Sequence, residues 1–288
     1  MKVLILGGSG MLGHKAYQVL SKEFDSYATF RDFSKRLYNS GIFDVSKILD
    51  GIDIFDFETV KKAIQVIKPN FIINCIGIIK QLPEAYNYKV SIMTNSLFPH
   101  LLAEYCDKEG IKFIHISTDC VFSGRNGNYS EDELSDADDL YGKSKFLGEI
   151  NYGNTLTLRT SIIGHELFSN ISLVNWFIQN KNKKVNGYTN AIYTGFPTFT
   201  FCKEIIRAIK YYPNLKGLYN ISSEKISKFE LLKIINHVYN LNIEIIPYDK
   251  YYCDRSLNSL KYRTDTGFKP YTWEEMITEM YKDFKKIK

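Results

Sequence analysis

Through the first half of the chain, short apolar runs alternate with stretches in which apolar residues recur every three or four positions. The runs are KVLILG from Lys2, SYATF from Ser26, FIINCIG from Phe71, KFIHIST from Lys112 and LTLRTS from Leu156. Helical patterns separate them: one after Gly10, one near Glu58 to Ile67, one through Asn95 to Cys106, and one around Tyr141. Strands that are nearly all apolar and divided by helices predict an α/β fold, a doubly wound parallel sheet covered on both faces. Such a sheet takes its ligands outside the carboxyl ends of its strands.

After about Thr160 the rhythm changes. SLVNWFIQN and FCKEIIRAIKYY read as helices and GLYNISS as a late strand. SKFELLKIINHVYN reads as an amphipathic helix opened by Ser227 with Glu230 three residues on, and Thr272 with Glu275 repeats that capping box before TWEEMITEMYKDF. There is no internal repeat and no low-complexity linker. The expected division is residues 1–163 as a cofactor-binding domain, joined by a returning segment near 200–223, with 164–288 mainly a smaller C-terminal α/β lobe for substrate.

Composition narrows the class. The chain has 288 residues, 44% hydrophobic and 24% charged, as an ordinary globular protein does. Its net charge of +5 is spread among acidic residues, which argues against a nucleic-acid footprint. The basic end KDFKKIK reads as a solvated last helical turn. Cys75, Cys106, Cys120, Cys202 and Cys253 form no C-x-x-C pair and no metal-ligand spacing with histidine. An odd number of cysteines favours reduced thiols in a cytoplasmic protein. The first apolar run, Val3 to Leu6, is too short for a signal peptide, and no segment approaches membrane-spanning length.

The candidate chemistry begins at LILGGSGMLG, where Gly7, Gly10 and Gly13 follow the first strand in G-x-x-G-x-x-G spacing. A tight turn, close approach of backbone to a pyrophosphate and close helix–strand packing each require a residue without Cβ. The helix starting there offers unpaired N–H groups to phosphates. At the end of the second strand, where NAD binders usually carry an acid, stands Arg31, with Lys35 and Arg36 nearby. Arg31 can pair bidentately with a 2′-phosphate, which favours NADP(H); Asp32 beside it keeps NAD(H) open. Asp53 in GIDIFD is expected at the end of the next strand, within reach of an adenine amino group, and NCIG (Asn74 to Gly77) lets backbone pass beneath the cofactor.

Tyr-x-x-x-Lys occurs three times, at Tyr141/Lys145, Tyr212/Lys216 and Tyr281/Lys285. Pro213 disfavours a helix at Tyr212, and no polar partners surround Tyr281 in the sequence. Only Tyr141 follows a strand ending HISTDCVFSG and opens a helix that carries Lys145 one turn along the same face. A nearby ammonium makes a phenol a usable acid near neutral pH. Thr118, at the end of the preceding strand, can bond the same carbonyl oxygen.

These motifs together resemble the extended short-chain dehydrogenase/reductase family. Within it, ISTDCVFSG, LYGKSKFLGE and LRTSIIG are most similar to the dTDP-4-dehydrorhamnose reductase group. The resemblance is strong over about residues 1–164. GFPT at Gly195 to Thr198 is similar to that group's Gly-x-Pro-Thr motif; the Asp-Gln usually found before it is absent, and CDRSLNS matches the group's C-terminal segment loosely. The resemblance implies a Rossmann-type domain and a catalytic set of Thr118, Tyr141 and Lys145. It implies cofactor contacts from Gly7, Ser9, Gly10, Met11, Leu12, Gly13, Arg31, Asp53, Ile54, Cys75, Ile76 and Gly77, joined by Tyr141 and Lys145. Substrate contacts fall on Asp119, Cys120 and Arg255, the last for a diphosphate. The activity implied is NADPH-dependent reduction of the C4 ketone of a nucleoside-diphosphate 4-keto-6-deoxy sugar, in deoxysugar or cell-surface polysaccharide biosynthesis. A homodimer is compatible with this reading. Two rivals stand beside it: a nucleotide-sugar dehydratase or epimerase of the same fold, and a non-catalytic NADP-binding regulatory subunit. Cys120 after Asp119, where the dehydratases carry a Glu base, speaks against dehydration.

Overall fold

A computed structural model describes residues 1–286; Ile287 and Lys288, the end of the basic tail, lie outside the described residues. The chain divides into two compact units. The first comprises Met1–Ser117, Asp139–Leu158 and Cys202–Leu218, and the second Thr118–Asp138, Arg159–Phe201 and Tyr219–Lys288.

The first unit is built on a seven-stranded sheet. In chain order its strands are β1 (Lys2–Leu6), β2 (Asp25–Thr29), β3 (Ile48–Leu49), β4 (Phe71–Asn74), β5 (Lys112–Thr118), β6 (Thr155–Thr160) and β7 (Gly217–Asn220), arranged as β7-β6-β5-β4-β1-β2-β3. β1 pairs in parallel with β2 and β4, β2 with β3, and β4 with β5. All four residues of β4 and all six of β6 are buried, the polar Thr155, Thr157, Arg159 and Thr160 of β6 included, as in a sheet covered on both faces. The order runs outward in both directions from β1 and β4, so the reversal that opens a ligand crevice falls between these two strands.

The helices α1 (Met11–Leu20), α2 (Phe57–Ile67), α3 (Phe98–Lys108), α4 (Leu140–Leu147) and α5 (Thr198–Tyr211) connect these strands. Asp56 caps α2 by accepting from the Glu58 amide, and Lys68 ends that helix in the left-handed region at φ 51°. The inward faces of α2 and α3 meet the sheet in one core that includes Leu4, Val60, Ile64, Ile72, Phe98 and Phe113. α5 stops at Tyr211, two residues before Pro213, as the proline requires.

The third strand departs from expectation. It is Ile48–Leu49, earlier and shorter than GIDIFD suggested, and Asp53 lies beyond it in a turn whose Phe55 amide donates to the Asp53 carboxylate at 3.0 Å. Aspartate bonds the backbone two residues on more readily than it sustains a strand, and here that preference prevails.

The second unit carries short ribbons. Lys184–Tyr188 pairs in parallel with Glu244–Tyr248, and Ala191–Tyr193 lies between Ile226–Ser227 and Cys253–Asp254. Its main helices are α6 (Lys228–Tyr239), α7 (Leu260–Thr266) and α8 (Trp273–Lys285). Ser227 accepts from the Glu230 amide, and Thr272 with Glu275 forms the full reciprocal box. Among the described residues no helix is long and apolar enough to cross a membrane, and no cluster of His, Cys, Asp or Glu could hold a metal ion. All five cysteines are free thiols.

Candidate active site

The glycine turn is drawn tight against the sheet. The Gly10 amide donates to the Gly7 carbonyl at 3.1 Å and the Gly8 amide to Thr29 at 3.0 Å. Gly7 sits at φ 83°, a conformation that favours glycine, and a Cβ on Gly13 would collide with the Gly7 carbonyl. Gly10 has open space around it, with nothing closer than 3.5 Å to the position of a Cβ. Ser9 and Gly10 are exposed at the tip, while Leu12 and Gly13 are buried in the first turn of α1, whose N-cap has no side-chain partner. The first-turn N–H groups of α1 have neither an intrahelical partner nor a side-chain cap, and these fit a pyrophosphate.

Arg31 and Asp32 are both exposed just past β2. Ile54 contributes its side chain to the core. Cys75, Ile76 and Gly77 follow β4; the Ile76 amide donates to the Asn74 side chain at 3.1 Å, and burial pushes the Cys75 thiol up to about 12. Cys75 is half-buried after β4 and stays a neutral thiol near pH 7.

Tyr141 and Lys145 stand one turn apart on α4. Asp139 caps that helix, accepting from the Gly142 amide at 2.7 Å. Lys145 is 5% exposed, and its ammonium donates to the Ile116 carbonyl of β5 at 2.8 Å. Burial lowers its pKa to about 8, with Glu149 pulling the other way. Tyr141 is half-buried and lines a cavity of about 370 Å³ with Lys80, Ala85, Tyr86, Tyr88, Asp139 and Leu140.

A group that the sequence did not single out fixes this helix. Met93–Leu97 form a π-turn, and Asn95 within it is buried. Its amide donates to the Ile78 carbonyl at 3.0 Å and to the Ser144 hydroxyl at 3.1 Å, while its oxygen accepts from the Ile78 amide at 3.0 Å. Ser96 bonds the Ser144 carbonyl at 2.7 Å, and a Cβ on Gly148 would strike the Asn95 carbonyl. Asn95 thus ties the segment after β4 to the helix carrying Tyr141 and Lys145. Its only trace in the sequence is an asparagine inside a helical pattern.

In the second unit, Thr118 ends β5 and starts a short 3₁₀ turn, Asp119–Val121. The Thr118 hydroxyl accepts from the Cys120 amide at 3.1 Å and donates to Asp119 at a long 3.2 Å. Burial raises the Asp119 carboxyl, against the pull of the Arg255 guanidinium. Arg255 donates through Nε to the Phe122 carbonyl at 2.7 Å. Its charge lies beside Cys120, Cys253, Asp119 and Tyr251. Asp119, Cys120 and Arg255, expected to act together, are therefore brought into one neighbourhood. A larger open groove of about 640 Å³ lies between α6 and α8, lined by Glu230, Lys233, His237 and Tyr281 among others. None of the expected site residues faces it.

The crystal structure of dTDP-4-dehydrorhamnose reductase from Bacillus anthracis in complex with NADP superposes with a TM-score of 0.80 at 22% identity, over 98% of this chain and 99% of that one. In sequence, methionine adenosyltransferase 2 subunit beta of Xenopus laevis is 26% identical over 259 residues, 83% of this chain and 72% of the relative. The spore coat polysaccharide biosynthesis protein SpsK of Bacillus subtilis is 24% identical over 96% of both chains. The profile of the RmlD substrate binding domain matches residues 1–286, and the chain therefore belongs to that family.

Proposed function

We propose that this protein reduces the C4 ketone of a nucleoside-diphosphate 4-keto-6-deoxy sugar with NADPH. The observation that carries the reading is the buried Lys145 ammonium, fixed on the Ile116 carbonyl one turn from Tyr141. A sealed cation at that spacing stabilises the phenolate that Tyr141 becomes once it has protonated the carbonyl oxygen. Thr118 orients the carbonyl through its hydroxyl, exchanging its long bond to Asp119 for one to the substrate. Asp119, Cys120 and Arg255 bind the sugar and the diphosphate.

The glycine cradle, Cys75–Gly77 and Arg31 would hold the dinucleotide, whose nicotinamide supplies the hydride when bound. The close-packed glycine turn and the side-chain-free start of α1, whose first-turn N–H groups have no intrahelical partner, support that fit. Arg31 supports NADPH over NADH, and losing one charge-assisted phosphate bond costs about 1.5–3 kcal/mol. Arg31→Ala should therefore weaken NADPH selectively in a fluorescence titration. Equal weakening of both cofactors would make Arg31 a surface residue only. The B. anthracis reductase named above is bound to NADP, and SpsK is named for polysaccharide biosynthesis. Both support placing this chain in deoxysugar or polysaccharide biosynthesis.

The deciding experiment supplies purified protein with two substrates separately: dTDP-glucose with catalytic NADP, and dTDP-4-keto-6-deoxyglucose with stoichiometric NADPH. Loss of absorbance at 340 nm only with the ketosugar is expected, and a 4-keto-6-deoxy product from dTDP-glucose would promote the dehydratase reading. A second reading, a non-catalytic NADP-binding subunit, draws on the relative named as subunit beta of another enzyme. It predicts cofactor binding with no NADPH consumed. A homodimer would bury the apolar groups exposed on neighbouring helices of the first unit, Tyr88, Ile92, Phe146 and Leu147. Light scattering after gel filtration reads this directly.

A further inference from the structure

We propose that Arg159 is a positioning residue: its buried guanidinium braces the ring of Phe122, and the carbonyl of Phe122 orients Arg255 towards the diphosphate of the substrate. This assignment rests on the nucleotide-sugar reading above and on Arg255 as its diphosphate contact.

Arginine is seldom buried, because its charge is costly to desolvate unless it is bonded. Arg159 is 1% exposed on β6. One of its amines donates to the Asn220 side-chain oxygen at 3.2 Å, and its guanidinium lies 4.9 Å over the ring of Phe122. The nitrogen of the same Asn220 side chain donates to the Tyr129 carbonyl at 2.8 Å. The Tyr129 ring in turn stacks on Phe122 at 4.1 Å, 5° from parallel. Arg159, Asn220, Tyr129 and Phe122 thus close a circle of contacts within the second unit, every member of it buried. A desolvated guanidinium holds an aromatic face more strongly than an exposed one does.

Arg255 hangs from this circle twice. Its Nε donates to the Phe122 carbonyl at 2.7 Å. The residue after it, Ser256, accepts from the Tyr129 amide at 2.9 Å through its carbonyl and from the Asn128 amide at 2.7 Å through its hydroxyl. Side chain and main chain of Arg255 are therefore fixed by one group of residues. Among the described residues no hydrogen bond occupies its two terminal amines.

That geometry suits phosphate. A guanidinium held by Nε alone keeps the planar fork of its terminal amines for two oxygens of one partner. Fixing the side chain beforehand also lowers the ordering cost of binding. The brace acts on the Phe122 ring, the orientation on the Phe122 carbonyl, so ring and carbonyl can be separated by mutation.

The test is a double-mutant cycle read by calorimetric titration of dTDP and UDP, following whichever binds more tightly. Arg255→Met should weaken that Kd about ten- to hundredfold, as expected for a lost charge-assisted contact. Arg159→Met should weaken it about three- to tenfold, with the NADPH Kd unchanged. In the Arg255→Met background Arg159→Met should have no further effect, because the group it orients is gone. Phe122→Leu keeps the carbonyl and removes the ring; it should match Arg159→Met, and it carries the cycle if Arg159→Met does not fold. A merely structural arginine would lower Tm and weaken the nucleotide by the same factor in both backgrounds, which would overturn the assignment. An unchanged Kd in Arg159→Met or, failing its folding, in Phe122→Leu would overturn it as well. Wild-type affinity in Arg255→Met would remove the diphosphate role of Arg255 together with its positioning. A wild type that binds neither nucleotide would remove the nucleotide-sugar reading, and this assignment with it.

Discussion

Tyr141 differs from phenylalanine by one oxygen, and that oxygen is the proposed acid. Tyr141→Phe should keep the fold and NADPH affinity and lose roughly 10²–10⁴-fold in turnover; near-normal turnover would dismiss the assignment. Lys145 makes a pH prediction. Its ordinary pKa of 10.5 falls to about 8 on burial, so between these values the unfolded chain binds the extra proton. The contribution of Lys145 to stability therefore grows as pH rises from 8 towards 10.5, by up to about 1.4 kcal/mol per pH unit. Lys112, also lowered to about 8, acts in the same direction. The Cys75 and Cys106 thiols, raised from 9.0 to about 12, act in the opposite direction above pH 9. Subtraction removes these shared terms: urea midpoints of wild type should gain on those of Lys145→Met from pH 8 to 10. Parallel profiles would mean that Lys145 is not titrating in the folded state. The tyrosine and lysine were legible in sequence because their spacing is local and their strand–helix setting is unusual among the three matches. Asn95 was not legible, because it takes its meaning from residues far away in the chain, Ile78 and Ser144.

Among the elements, α4 matters most, since its first turn carries Tyr141 and its N-cap is a single aspartate. Asp139→Ala should cost about 1 kcal/mol of stability and fray the turn that aims the phenol. Denaturation and steady-state kinetics together should show both a lower Tm and a lower kcat. Thr272→Ala at the start of α8 removes a cap of similar worth in the second unit and should lower Tm with kcat intact. If both variants lose kcat alike, the effect is global instability, and the cap has no role in placing Tyr141. Most elements were readable from pattern: β1 and β4 as continuous apolar runs, β5 and β6 as short segments rich in β-branched residues and leucine between helices, and α6 and α8 from their caps. β3 escaped because two residues cannot display a period. The π-turn at Met93–Leu97 escaped because one inserted residue barely disturbs a helical pattern.

For the whole molecule, cofactor and sugar contacts are proposed on different units, and this division can be read by hydrogen exchange. NADPH alone should slow amides in 7–13 and 75–77, and a nucleotide sugar alone those in 119–122 and around Arg255. Identical protection by both ligands would argue against separate roles. The sheet is also discontinuous in the chain: β5 ends at Thr118 and its neighbour β6 begins only at Thr155, after residues that belong to the second unit. On a ribosome adding about 5–20 residues per second, the outer edge of β5 waits roughly two to seven seconds for its partner. During that interval KFIHIST, which carries the apolar Phe113, Ile114 and Ile116, offers an unpaired ladder, the kind of edge on which nascent chains aggregate. Yield in cells should therefore depend on translation speed across residues 119–154, and slow codons placed there should lower soluble protein without altering a single contact of the finished fold.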